Sequence, residues 1–132
     1  MPSFSANSDN PRLALYFKAR EIMFLSRHVS DYLVPDLAGL NESGKEDKYV
    51  YFTGDIIRHS NSLIPNIIKA ENEFFQEARS QYVSAVGHLT DRLSKNCEKL
   101  ESANSNGREF VCLLRKELQK FKKLQRVWRL TL

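Results

Sequence analysis

The sequence predicts an all-α fold, an antiparallel up-down four-helix bundle. Apolar residues recur at intervals of three and four in four separate stretches of about 22–30 residues, the period of a helix with one buried face. Glycine and proline, which break chains into turns, number only 5 and 4 in 132 residues. No stretch alternates apolar with polar residues long enough to form a strand. Short connections between helices of similar length favour antiparallel packing around one core.

The first helix opens at Asn10-Pro11, a side-chain cap followed by a residue whose missing N–H costs nothing in the first turn. Leu15, Ile22, Leu25, Val29 and Tyr32 form its apolar stripe, and Pro35 is expected to end it. Residues 35–47 (PDLAGLNESGKED) read as a loop, the expected site of mobility. A second helix is expected from near Lys48 to Ala70, with Phe52, Ile56, Leu63, Ile67 and Ala70 on one side. Pro65 falls inside it, removing a hydrogen bond and favouring a kink. Ser60, Ser62 and Asn66 stay near this stripe, where they permit close approach or hydrogen-bond a neighbouring helix. The functional alternative is that Ser62 and Asn66 line a partner site.

Glu71-Asn72-Glu73 suits a tight turn. A third helix, from about Glu73 to Ser102, is expected to bury Phe75, Ala78, Tyr82, Ala85, Leu89, Leu93, Cys97 and Leu100, and Asn104-Ser105-Asn106-Gly107 closes it. In the fourth helix Val111, Leu114, Leu118, Phe121, Gln125, Trp128 and Leu132 are spaced 3-4-3-4-3-4. That is one continuous seam against the core.

The same segment concentrates charge. Residues 107–132 hold eight basic residues (Arg108, Arg115, Lys116, Lys120, Lys122, Lys123, Arg126 and Arg129) and two acidic ones (Glu109 and Glu117), a local net of +6. The whole chain is +4, so residues 1–106 net −2. At roughly 100° per residue, Arg108, Arg115, Lys122, Arg126 and Arg129 share an edge beside the seam, while Lys116, Lys120 and Lys123 lie on the far side. A broad cationic face of this kind suits a polyanion such as nucleic acid, bound through its phosphates without sequence readout. The plainer alternative is a solvated basic helix end favoured by the helix dipole.

The length and the hydrophobic fraction of 42% fit one ordered domain: a polar, disordered N-terminus over residues 1–10 and a bundle over residues 11–132. No run approaches the length of about 18 apolar residues that crosses a membrane, and residues 1–10 lack the layout of a signal peptide. A soluble, cytoplasmic protein is the expectation. Cys97 and Cys112 fall in helical patterns where small buried thiols are usual. His28, His59 and His88 are scattered and belong to no Glu-x-x-His pair. Asp55 and His59 share a helical face, where an ion pair is the commoner role than a metal. Neither metal nor cofactor is expected. No Arg-x4–6-His pattern of the RNA-cutting HEPN families occurs, nor any phosphate-cradling glycine loop or nucleophile elbow, so no catalysis is expected. Tyr49, Tyr51, Phe52, Phe74 and Phe75 exceed what one small core can bury, which points to an oligomer.

The string from Ile56 to Ala70 (IIRHSNSLIPNIIKA) resembles the second-helix signature of the four-helix-bundle proteins encoded in 23S rRNA intervening sequences, approximately I-R-R-A-A-x-S-I-P-S-N-I-A-E-G. Arg58, Ser62, Leu63, Asn66 and Ile67 match it. Its proline is displaced by one, Ile57 replaces an arginine, and Lys69-Ala70 replaces Glu-Gly. Those departures are similar to a related branch, the accessory variability determinant proteins of diversity-generating retroelements, whose stretch reads roughly S-L-L-x-x-I-I-R-A-N. Ser62-Leu63-Ile64 and Ile67-Ile68-Lys69-Ala70 follow it, and Glu117-Leu118 with Trp128 resembles the end of that branch's last helix. The tail lacks the Gly-Gly-Trp sequence common there.

The resemblance implies a ring-like homopentamer of four-helix bundles that binds the retroelement's reverse transcriptase and its template RNA or cDNA, supporting mutagenic cDNA synthesis without activity of its own. The expected phosphate contacts are the eight basic residues of the last helix, with Arg58 and Lys69 extending the surface. The rival expectation is a protein-interaction bundle of the intervening-sequence type, docking its basic helix on an acidic partner.

Overall fold

The computed structural model describes residues 10–37, 49–102 and 107–132, with side chains for all of these except 33–37 and 49–51. Among the described residues there are four helices and no strand: α1 (Pro11–Leu37), α2 (Tyr49–Asn72), α3 (Gln76–Glu101) and α4 (Arg108–Leu130). α1 lies against α2 and α4, and α3 against the same two, so the helices close a cycle around one core. The all-α bundle expected from periodicity is the observed architecture. Of the loop expected over 35–47, residues 35–37 belong to α1; residues 38–47, the turn residues 104–106, residues 1–9 and the side chains of Tyr49 and Tyr51 lie outside the described residues.

Local chemistry sets the helix ends. Asn10 Oδ1 accepts the backbone N–H groups of Arg12 and Leu13 at 3.1 and 3.3 Å, supplying partners that the first turn lacks. α1 runs two residues past Pro35, to Leu37. A proline forfeits only its own N–H bond, and near a terminus the residues after it can still complete the last turn. α2 extends through Pro65 to Asn72, two residues beyond the expected end. Pro65 and Asn61, whose carbonyl loses its partner, both face solvent, where water can replace the bond. The chain breaks at Glu73–Phe75, and Phe75 is 70% exposed rather than buried because it precedes the helix instead of joining its stripe. Arg79 secures the break by donating Nε and Nη2 to the Glu73 carbonyl at 3.1 and 2.8 Å.

The core contains Leu15, Ala19, Ile22 and Val29 from α1 and Ile56, Leu63, Ile67 and Ala70 from α2. From α3 it takes Val86, Leu93, Cys97 and Leu100, and from α4 Val111, Leu114, Leu118, Phe121 and Trp128. Each fully buried leucine or isoleucine contributes about 1.5–3 kcal/mol by leaving water. Tyr32 is half exposed because its ring stacks on Phe110 of α4 at 4.5 Å instead of entering the core. Ser60, Ser62 and Asn66 do not reach across to a neighbour. They bond the carbonyls of Ile57, Arg58 and Ser62 within α2. Only Ser60 is buried. Ser26 and Thr90 likewise bond Ile22 and Val86 in their own helices, each at 2.7 Å.

Polar ties across the bundle converge on α4. The buried Trp128 donates its indole N–H to Glu71 of α2. Lys18 of α1 donates to Glu117 at 2.9 Å, and Arg115 donates to Glu101 of α3 at 2.8 Å. Gly87 of α3 faces Gln125, where a Cβ would come within 3.2 Å of the amide nitrogen, so the glycine makes room for the one polar side chain of the seam.

Candidate nucleic-acid interface

The seam of α4 fixes where its charges stand. With Val111, Leu114, Leu118, Phe121, Gln125 and Trp128 all buried, the remaining positions must face solvent or the edges of α1 and α3. The eight basic residues therefore separate by environment. Arg108, Lys116, Lys123, Arg126 and Arg129 are exposed, and among the described residues no carboxylate lies within ion-pair distance of any of them. Lys120 is 2.8 Å from Glu117, Arg115 is held by Glu101, and Lys122 is 3.8 Å from Asp91 of α3.

The acids of α3 are unevenly spread. Asp91, Glu98 and Glu101 all lie in its second half, and from Ala78 to Thr90 it has none. Arg115 and Lys122, in the early and middle turns of α4, meet these acids. Arg126 and Arg129, in its last turns, meet none. Of the five cations expected along one edge of the seam, Arg115 and Lys122 are thus neutralised, and among the described residues Arg108, Arg126 and Arg129 are free. Arg126 and Arg129, with Lys123 one turn away on the outer face, form a bare cationic surface at the end of α4.

Glu117 is the one carboxylate on α4 drawn inward, 8% exposed. A hydrogen bond from Lys120, opposed by partial burial and reinforced by Lys18, holds it at about 2, well below the ordinary carboxylate range. Lys18 is itself raised: burial works against its charge, but its hydrogen bonds to Glu21 and Glu117 outweigh that. No spacing along the chain distinguishes Glu117 from a surface acid.

The two residues expected to extend the surface differ. Arg58 is 70% exposed and paired with Asp55 one turn away, which answers the Asp55–His59 question in favour of an ion pair with a different partner. Lys69 lies 5.8 Å above the Tyr82 ring. Among the described residues neither side chain makes a hydrogen bond or ion pair with α4. Among those residues no three His, Cys, Asp or Glu side chains gather as metal ligands, and no helix is long and apolar enough to cross a membrane. Cys97 is buried, which pushes its thiol up to about 12, while Cys112 is partly exposed.

Exposed apolar side chains flank the charges. Leu113, Val127 and Leu130 are 45%, 51% and 87% exposed on the outer face of α4, interleaved with Lys116, Lys120 and Lys123. At the α2–α3 connection Phe74 and Phe75 are 85% and 70% exposed and meet edge to face at 5.6 Å. No protein-family model, curated protein or solved structure matches the chain.

Proposed function

We propose that this protein is a non-catalytic accessory factor of a diversity-generating retroelement. It binds RNA or cDNA and the reverse transcriptase that copies it, in the cytoplasm. Its helices run up and down in antiparallel order, and copies assemble into a ring, a pentamer by the family resemblance. The observation that carries the reading is the set of exposed cations on α4 without ion-pair partners among the described residues, Arg108, Lys116, Lys123, Arg126 and Arg129. Unneutralised charges on a rigid helix attract phosphate with little reorganisation, whereas cations already paired must first surrender a carboxylate. The exposed Phe74 and Phe75 support assembly, because an apolar pair at a tight turn gains from contact with another copy.

The test joins a light-scattering mass to RNA and DNA binding over a salt series. Replacing Lys123, Arg126 and Arg129 together by Gln removes three phosphate contacts and lowers the log–log salt slope for a single strand by about 2. A monomer without nucleic-acid affinity at low salt, or an unchanged slope in the triple variant, refutes the reading.

A second reading has its own support. Leu113, Val127 and Leu130 among the outer lysines suit an acidic, partly apolar protein partner, as in a docking module of the intervening-sequence type. Binding that survives high salt and fails in Val127→Asp, with nucleic acid ignored, favours that partner.

A further inference from the structure

A second cationic site lies on the other side of α3. Arg92, Lys95 and Lys99 recur at i, i+3 and i+7, so they share one face of that helix. That face borders α2, which presents Asp55, Arg58 and His59. Together with Asn96 these residues line a pocket of about 370 Å³. Asn96, 7% exposed, lies toward the core, and the cations stand above it.

The charge of the pocket does not cancel. Asp55, its one carboxylate, is held by Arg58. Lys99 lies 4.8 Å over the Phe52 ring, a contact that leaves its charge intact. Among the described residues no carboxylate lies within ion-pair distance of Arg92, Lys95 or Lys99. Three uncompensated cations around a cavity of this size, with an imidazole and a carboxamide able to donate hydrogen bonds, make a receptor for a tetrahedral oxyanion.

We infer that the α2–α3 pocket binds a phosphate group, with Arg92, Lys95 and Lys99 supplying charge and His59 and Asn96 supplying hydrogen bonds. The phosphate belongs to a nucleic-acid backbone or to a free pyrophosphate-type ligand, and both present the same oxygens. The site goes beyond the α4 surface and does not depend on it. His59 provides a built-in reporter. Burial, and then the charges of Arg58 and Arg92, hold its pKa below the ordinary value. Among the described residues the charged groups around it are Asp55 and Arg58 on its own helix and Arg92, Lys95 and Lys99 on α3.

The experiment follows the three histidine side chains by NMR during pH titrations of the full chain at low salt. The arms contain pyrophosphate, an oligothymidylate at equal phosphate, and chloride at equal ionic strength. A bound oxyanion close to the imidazole raises the pKa of His59 by about one unit, while His28 and His88 move no more than in chloride. A response to pyrophosphate alone identifies a free phosphate ligand; a response to both identifies the backbone. An Arg92→Gln, Lys95→Gln variant, whose substitutions are on exposed positions, weakens pyrophosphate binding at least tenfold, whereas the α4 triple variant retains it. An unmoved His59 in both ligand arms overturns the inference, as does an equal response in the Arg92→Gln, Lys95→Gln variant. Loss of polymer binding in the α4 variant with the His59 response preserved separates this pocket from the α4 surface.

Discussion

Glu117→Gln lowers the stability of the bundle at neutral pH, and the loss disappears in acid. The carboxylate sits 2.8 Å from Lys120 and 2.9 Å from Lys18, almost shielded from water. Held at about 2 in the fold against an ordinary 4.5, it has a linkage ceiling of about 3 kcal/mol. Lys120 is 64% exposed, so solvent screens its share, and Lys18 keeps Glu21 at 2.8 Å when Glu117 is neutral. Both effects reduce the expected loss to about 1–2 kcal/mol. The sign follows from the depressed value: the contribution is complete above the unfolded pKa and vanishes as pH falls through the folded one. Urea unfolding followed by circular dichroism, on both proteins from pH 7 to pH 2.5, measures it. The difference should shrink to about half near pH 3. Equal stabilities at pH 7, or a difference constant down to pH 2.5, refute a buried ionised Glu117.

Trp128→Phe removes the donor to Glu71 while keeping most of the apolar volume, and should cost about 1–2 kcal/mol by urea midpoint; Trp128→Ala should cost about 3–5. Native thiol labelling should modify Cys112 promptly and Cys97 only on unfolding, since Cys97 is buried and pushed up to about 12; equal rates contradict its burial. Phe74→Ser with Phe75→Ser should leave the unfolding midpoint of a folded monomer within about 0.5 kcal/mol and reduce the light-scattering mass; an undiminished assembly moves the contact elsewhere.

What the sequence made visible depended on how much of each structure is local. The α4 seam was legible because all of its spacing lies in one helix, and six of its positions, Val111 to Trp128, are buried. In α3 the stripe was only half legible. Val86 and Thr90 are buried where Ala85 and Leu89 were expected to lead, because a helix between two neighbours buries a face wider than one row. The cations of α4 stood out as a local excess, but their division into paired and free depends on Glu101 and Asp91, which come from another helix. Arg92, Lys95 and Lys99 left no such excess. Acids interleave with them along α3, and only the approach of α2 makes them one site.

The polar ties described above have a common end. Among the described residues, every hydrogen bond or ion pair between side chains of different helices involves α4: with Lys18 of α1, Glu71 of α2, and Glu101 or Asp91 of α3. The buried hydroxyls of Ser26, Ser60 and Thr90 are satisfied within their own helices. A neighbour meets them as small volume, without polarity. Between the first three helices the electrostatic contacts seen among the described residues are cation–π pairs, Lys99 over Phe52 and Lys69 over Tyr82, which are less directional than an ion pair or hydrogen bond. α4 works as the key of the bundle, whose teeth engage a different helix at each height and fix the register of all three.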